Sequence, residues 1–219
     1  MNLSLRLQAI ADHVPRGAII HDVGTDHGYL PIYLLEQQII PRAYASDLRA
    51  EPLKSAALNG AKYIQNSQLI LSQQDGFLPL HPSVNCLTIS GLGGALMVQL
   101  FTKNAAELSA IQRIILQPQS HIDQVRMAMQ SIGFCIVDEK LIKENEQFYE
   151  IIVFERGSSH LTELEVLCGP VLLQHQDLLF KERWMQEANY YRELLQHIPH
   201  HHSSYQRFAR RLQLIEEVL

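Results

Sequence analysis

Short continuous apolar runs alternate along the chain with longer segments whose apolar residues recur three or four positions apart, a pattern of strands alternating with helices. Leu3, Leu7, Ile10 and Ala11 predict a short N-terminal helix, ended by Pro15-Arg16-Gly17. Ala18–Val23 reads as a buried strand closed by Gly24, followed by a helix through Leu30 to about Gln38, with Pro31 tolerated in its first turn. Ala43–Asp47 is a second strand, Pro52–Asn66 a helix, and Leu69–Ser72 a third strand running out to Asp75-Gly76. Val84–Ser90 is a strand, Gly91-Leu92-Gly93-Gly94 a tight turn, and Ala95 to about Asn104 a helix. Arg113–Leu116 is a strand stopped by Pro118, and Ile122–Ile132 a helix. Phe134–Lys143 and Phe148–Phe154 flank a polar four-residue turn, which predicts an antiparallel pair. Strict alternation over residues 18–132 implies a mostly parallel sheet with helices on both faces, the antiparallel pair lying at one edge.

The pattern changes after Gly157-Ser158-Ser159. Leu164, Val171, Leu178 and Met185 recur every seven residues, with Leu167, Leu172, Trp184, Ala188, Tyr191 and Leu195 on the same broad face. Pro170 is placed to begin the main helix, residues 199–204 form a turn, and Tyr205, Phe208, Leu212 and Ile215 mark a last helix. Residues 160–219 therefore read as an α-helical hairpin or short coiled coil.

Composition narrows the class. The chain has 219 residues, 47% of them hydrophobic, enough to bury a substantial core. A formal charge of −5 excludes a generally cationic nucleic-acid binder but leaves room for a local basic patch. Three widely separated cysteines, Cys86, Cys135 and Cys168, without a C-x-x-C pair, support reduced core thiols. The N-terminus shows no signal-peptide pattern, and no uncharged apolar run reaches the length of a membrane span, so a cytoplasmic protein is expected.

Candidate chemistry gathers at the strand ends. The first strand runs into Asp22-Val-Gly24-Thr-Asp26-His27-Gly28-Tyr29, with glycines where the first and third of a dinucleotide fingerprint stand. Asp26 replaces the middle glycine, and its carboxylate would repel a pyrophosphate. It suits a cationic ligand such as S-adenosylmethionine; the alternative is an ordinary turn with Asp26 as a helix cap. Asp47, with Leu48 after it, stands 19 residues beyond Gly28, where an acid can accept from ribose hydroxyls. Asp75-Gly76 ends the third strand, within reach of an adenine edge. Ser90 leads into Gly91, Gly93 and Gly94, which allow a large group to approach the backbone closely. Gln117-Pro118-Gln119 ends the fifth strand on the same lip, where its amides can read a base edge or cap the sheet.

These strings resemble the bacterial tRNA (adenine22-N1)-methyltransferase family, the TrmK family. The resemblance is carried by Arg6-Leu7 with Ile10-Ala11, by Asp22–Pro31, Asp75-Gly76, Gly91–Gly94, Ile115–Pro118 and Tyr149–Ile152, and it spans about residues 1–157. Gly28, Asp47, Leu92 and Gln119 stand where alanine, glutamate, methionine and asparagine are usual. The resemblance implies a Rossmann-like class I S-adenosylmethionine-dependent methyltransferase sheet over residues 1–157 and a C-terminal helical domain over 158–219. It also implies methyl transfer from S-adenosyl-L-methionine to N1 of an adenine in the D-arm of tRNA. The cofactor set is Asp22, Gly24, Asp26, His27, Gly28, Asp47, Leu48, Asp75, Gly76 and Ser90. Asp26, Tyr29, Gly91, Gly93 and Gly94 are the catalytic candidates: Asp26 beside the developing positive charge or on the methionine ammonium, Tyr29 as a stacking surface. His27 can contact phosphate or substrate, or serve as a local hydrogen-bonding group. Arg6, Arg16, Arg49, Lys54, Arg126 and Gln119 are the tRNA-binding candidates. The helical segment has eight acidic and six basic residues, a weak electrostatic binder, and His197 and His200–His202 read as a solvated turn or a metal or pH-sensing cluster. Competing readings are methylation of another RNA site or a small molecule, and a non-catalytic RNA-binding module. Oligomeric state stays open, with a monomer favoured.

Overall fold

The computed structural model describes residues 1–65 and 67–219. After helix α1 (Leu5–Ala11), strands and helices alternate as β1 (Ile19–Val23), α2 (Tyr29–Glu36), β2 (Arg42–Asp47), α3 (Ala50–Tyr63) and β3 (Leu69–Gln73). There follow β4 (Cys86–Leu92), α4 (Gly94–Lys103), β5 (Arg113–Pro118), α5 (Ile122–Ser131), β6 (Phe134–Glu144) and β7 (Gln147–Arg156). Among the described residues these strands form one seven-stranded sheet in the order β3-β2-β1-β4-β5-β7-β6. The first five are parallel; β7 inserts antiparallel between β5 and β6. The predicted strand pair thus closes one edge, as its apolar runs suggest.

Two differences matter for the site. Helix α3 ends at Tyr63, short of the predicted end at Asn66, which lies outside the described residues. Strand β4 continues through Gly91 to Leu92, because a register shift between Ser90 and Leu92 lets positive-φ Gly91 bulge without breaking the pairing to β5. The glycine turn is therefore half strand.

The strand order sets the position of the crevice. The chain runs outward from β1 to β2 and β3, then jumps back to lay β4 on the other side of β1. At such a reversal the helices after β1 and β4 pack on opposite faces of the sheet and leave a cleft above the strand ends. One face of the sheet buries Met97, Phe101, Val125 and Met129 from α4 and α5; the other buries Ile10, Leu30 and Leu34 from α1 and α2.

The C-terminal segment corrects the heptad reading. Pro170 begins only the six-residue α7 (Pro170–His175), preceded by α6 (Glu163–Cys168). Gln176 turns left-handed, and the Asp177 side chain accepts from the Phe180 N–H at 2.8 Å, so the long helix α8 starts at Leu178 and runs to His197. Leu178 is 87% exposed and Met185 46%, so the seven-residue repeat is not the seam. The buried stripe is Phe180, Trp184 and Ala188, spaced by four, against Leu214, Ile215 and Val218 at the end of the chain. Helix α9 (Tyr205–Glu216) completes the predicted hairpin. Leu141 and Phe148, from the outer half of the β6–β7 hairpin, join the same core. No helix among the described residues is long and apolar enough to cross a membrane.

Candidate active site

The turn after β1 is held from below. Asp22 is buried and accepts a hydrogen bond from the Thr88 hydroxyl at 2.7 Å; burial pushes its pKa up to about 6. The Gly24 and Thr25 N–H groups both donate to the Ser46 carbonyl, at 2.8 and 3.0 Å, fastening the turn to the end of β2. Gly24, Asp26 and Gly28 all have positive φ, which folds the loop into a tight concave arc. Gly28 is also a packing glycine: a Cβ there would stand 2.9 Å from Ala56 Cβ, so its absence lets α2 lie close on α3. Asp26 does not cap α2, as the ordinary-turn alternative required; Gly28 is the N-cap and no side chain bonds to it. The Asp26 side chain instead projects to the rim, its carboxylate 3.7 Å from His27 Nε2, and the His27 ring lies 5.3 Å from the half-exposed Tyr29 ring.

Asp47 ends β2 nearly buried. Its Oδ1 accepts from the Arg49 N–H at 2.9 Å, while Oδ2 has no partner among the described residues. An acid with one oxygen fixed and one free can receive vicinal hydroxyls. Leu48 is exposed beside it, an apolar plate at the rim. Below, His21 Nε2 shares a hydrogen bond with Ser46 Oγ at 2.9 Å, and Ser46 Oγ donates to the Gly76 carbonyl at 3.2 Å. Burial lowers the His21 pKa to about 4, so it is neutral there. Gly76 has positive φ, and any Cβ would strike Leu100 at 2.8 Å; Asp75 before it is exposed.

Ser90 and Gly91 lie in the last stretch of β4 beside β1, and the side chain of Leu92, which ends the strand, lies 3.7 Å from where a Gly24 Cβ would stand, so the two glycine segments come together. Gly94 donates its N–H to the Ser120 carbonyl at 3.0 Å, and a Cβ there would overlap that oxygen, so only glycine allows α4 to start here. Gly93 between them is exposed.

The cation candidates divide. Arg6 reaches the lip from α1, where its Nη1 donates to Gln117 Oε1 at 2.9 Å. Arg49 and Lys54 are exposed on the β2 side, Lys54 paired with Glu51 at 2.7 Å, and Gln119 is exposed beyond β5. Arg16 precedes β1 and lies at the opposite end of the parallel strands, away from the lip. Arg126 is not a surface cation: it is 0% exposed, with Nη2 2.8 Å from Glu139 and 2.5 Å from Glu150, and Nη1 donates to the Val166 and Leu167 carbonyls. The signal was its place in the apolar stripe Ile122-Val125-Arg126-Met129 of α5, a stripe that faces inward. His197 and His200–His202 are exposed on the turn between α8 and α9.

Sequence reading missed the opposite wall. A cleft of about 970 Å³ opens beyond β5, bounded by Gln119, His121 and Tyr149 on the sheet side and by Arg183, Arg207 and Arg211 on α8 and α9. Arg207, Arg210 and Arg211 share one face of α9 through i, i+3, i+4 spacing, a signal hidden by the segment's net acidity. Arg210 pairs with Glu163 and Arg211 with Glu187, whereas Arg207 lies over the Phe208 ring without an ion pair among the described residues.

The donor set fits a nucleoside bearing a positively charged arm: a free carboxylate oxygen at Asp47, an acidic rim at Asp26, and a tight arc of left-handed backbone at Gly24, Asp26 and Gly28. A family model described as tRNA (adenine(22)-N(1))-methyltransferase, TrmK, matches residues 20–217. A Bacillus subtilis (strain 168) protein of that name is 28% identical over 232 residues, covering 100% of this chain and 98% of its own. A Streptococcus pneumoniae protein solved with S-adenosyl-L-methionine is 33% identical, with a TM-score of 0.92 and both chains wholly covered. M. capricolum TrmK, solved with S-adenosyl-homocysteine, is 27% identical with a TM-score of 0.90, covering 98% of this chain and 96% of its own. Since the family match runs from β1 to the end of α9, the chain belongs to the TrmK family of tRNA (adenine(22)-N(1))-methyltransferases.

Proposed function

We propose that this chain binds S-adenosyl-L-methionine in the crevice above β1, β2 and β4 and methylates N1 of adenine 22 in the D-arm of tRNA. The observation that carries the reading is the meeting of the Gly24–Gly28 and Gly91–Gly94 loops at the point where the strand order reverses, next to the free oxygen of Asp47. When bound, the cofactor supplies an activated methyl group on a sulfonium. The adenine N1 lone pair forms the new N–C bond as the C–S bond breaks, and positive charge passes from sulfur to the base.

The chain's own work is positioning and charge. Asp47 takes the ribose hydroxyls, and the arc from Gly24 to Gly28 seats the methionine arm with Asp22 beneath it. Asp26 presents its negative charge to the methionine ammonium or to the base as it becomes cationic. Tyr29 offers a stacking face to an adenine taken out of its helix. Gly91 and Gly93 let that nucleotide approach the backbone, whereas the Ser120 carbonyl already fills the space at buried Gly94, whose role is to start α4. Arg6, Arg49, Lys54 and Gln119 flank the lip, while the cleft lined by Arg183, Arg207 and Arg211 continues the path between residues 1–157, the cofactor-binding part, and residues 158–219, the helical lobe. A cytoplasmic location follows from the tRNA substrate.

Incubation of the chain with labelled cofactor and unmodified tRNA should place label at N1 of adenine 22. Label that appears nowhere, or only at an N6 position, would refute the assignment.

A further inference from the structure

Gln117 was expected to read a base edge or cap the sheet, yet it is wholly buried and its amide is already committed. Its Oε1 accepts from Arg6 Nη1 at 2.9 Å and from the Gly91 N–H at 3.1 Å, and its Nε2 donates to the Pro118 carbonyl at 3.2 Å. Arg6 is half-buried, with its guanidinium carbon 5.6 Å from the Tyr149 ring. The nearby Glu144 turns its Oε1 to the Leu5 N–H at 2.7 Å, and among the described residues Arg6 forms no ion pair. A guanidinium has five N–H donors. Among the described residues a single protein hydrogen bond, to a neutral amide, fixes it, leaving a full positive charge with open donors beside the glycine turn.

We infer that Arg6 is the receptor for a backbone phosphate of the tRNA next to the target adenine, and that Gln117 is a positioning residue that aims it. The inference rests on the tRNA methyltransferase reading and deepens it. Two features favour phosphate over the cofactor's carboxylate. Arg6 sits on the β5–β7 side of β4, away from β1 and β2, and Tyr149 under it also lines the cleft leading to α9. A neutral amide partner is also what such a site needs, since a glutamate at 117 would neutralise the charge before substrate arrived.

The test is steady-state methylation of unmodified tRNA across a range of salt concentrations, with S-adenosyl-homocysteine affinity measured separately by calorimetry. Arg6→Gln should raise KM for tRNA by about tenfold, the scale of one lost charge-assisted contact, with S-adenosyl-homocysteine affinity within about twofold of wild type. The slope of log KM against log salt should fall by about 0.7–0.9, one phosphate's worth. Arg6→Lys should keep the salt slope and recover part of the affinity. Gln117→Leu should raise KM while keeping the slope, because the charge remains but is no longer aimed. An unchanged KM and slope in Arg6→Gln overturns the inference, and so does an equal loss of S-adenosyl-homocysteine binding, which would give Arg6 to the cofactor. If the wild-type chain fails to methylate tRNA, the functional reading itself falls, a result distinct from either.

Discussion

The Thr88 hydroxyl donates to the Asp22 carboxylate at 2.7 Å, joining β4 to β1 beneath the glycine loop. This bond is the main compensation for a buried carboxylate. Thr88→Val should cost about 1–3 kcal/mol, because it leaves an acceptor unsatisfied. It should also weaken S-adenosyl-homocysteine binding, read by chemical denaturation and calorimetry.

Asp22 and its neighbour His21 carry opposite pH dependences. Asp22 titrates near 6 when folded against an ordinary value of 3.8, so folding gains stability as pH falls from about 6 to about 4. His21 titrates near 4 against an ordinary 6.5, so folding loses stability as pH falls from about 6.5 to about 4. Each effect is worth about 3 kcal/mol at most, and across this window they nearly cancel. Asp22→Asn should unmask the histidine, giving a protein whose stability drops on acidification. His21→Gln should show the reverse slope. Denaturation midpoints from pH 4 to 7 decide this, and wild-type-like flatness in both variants would remove the compensation.

An alanine at position 28 should be harmful. Gly28 has φ +71°, and a Cβ would press on Ala56 Cβ at 2.9 Å. Gly28→Ala should destabilise by about 1–3 kcal/mol through overpacking and backbone strain. Adding Ala56→Gly relieves the contact and should recover part of the loss, so a double-mutant cycle must show coupling between the two sites.

Asp26→Asn keeps a residue that tolerates left-handed backbone and removes only the charge. Turnover should fall by at least about tenfold, the scale of one electrostatic contribution to the transition state, with KM for tRNA nearly unchanged. Wild-type turnover would remove Asp26 from the mechanism.

Arg126→Ala leaves buried Glu139 without a cation and Glu150 with Arg183 alone, and it frees the Val166 and Leu167 carbonyls. Destabilisation of about 3–5 kcal/mol is expected, the scale for breaking a buried ion network. Gly169→Ala should act similarly, since its Cβ would meet the Glu139 carboxylate at 2.5 Å. Proteolysis should then begin between residues 157 and 170. The salt dependence of tRNA KM should stay as in wild type, in contrast to Arg6→Gln.

The strand ends were legible because apolar runs and the glycines after them are local features: Asp22, Gly24, Gly28, Asp47 and Gly91 fall on the lip that alternation alone predicts. What was not legible depends on partners distant in sequence. Arg126 meets carboxylates 13 and 24 residues away, and nothing in its own helix announces them beyond its place in an apolar stripe. The seven-residue repeat through Leu178 failed because Gln176 and Asp177 restart the helix and reset its phase. The place of Arg16 was legible too: it stands just before β1, and a residue before a strand of a parallel sheet lies at the end opposite the lip.

The β6–β7 hairpin is built into two cores at once, with Phe134 and Phe154 in the sheet and Leu141 and Phe148 under the C-terminal helices. Recombination between relatives is constrained by this. A crossover at Gly157 looks neutral, since the apolar pattern changes there, yet it would pair one parent's hairpin tip and buried carboxylates with the other parent's helices. Only parents that agree at Arg126, Glu139, Glu150 and Gly169 should yield folded progeny from that seam. The helical lobe is therefore inherited with the hairpin rather than exchanged freely as a tail.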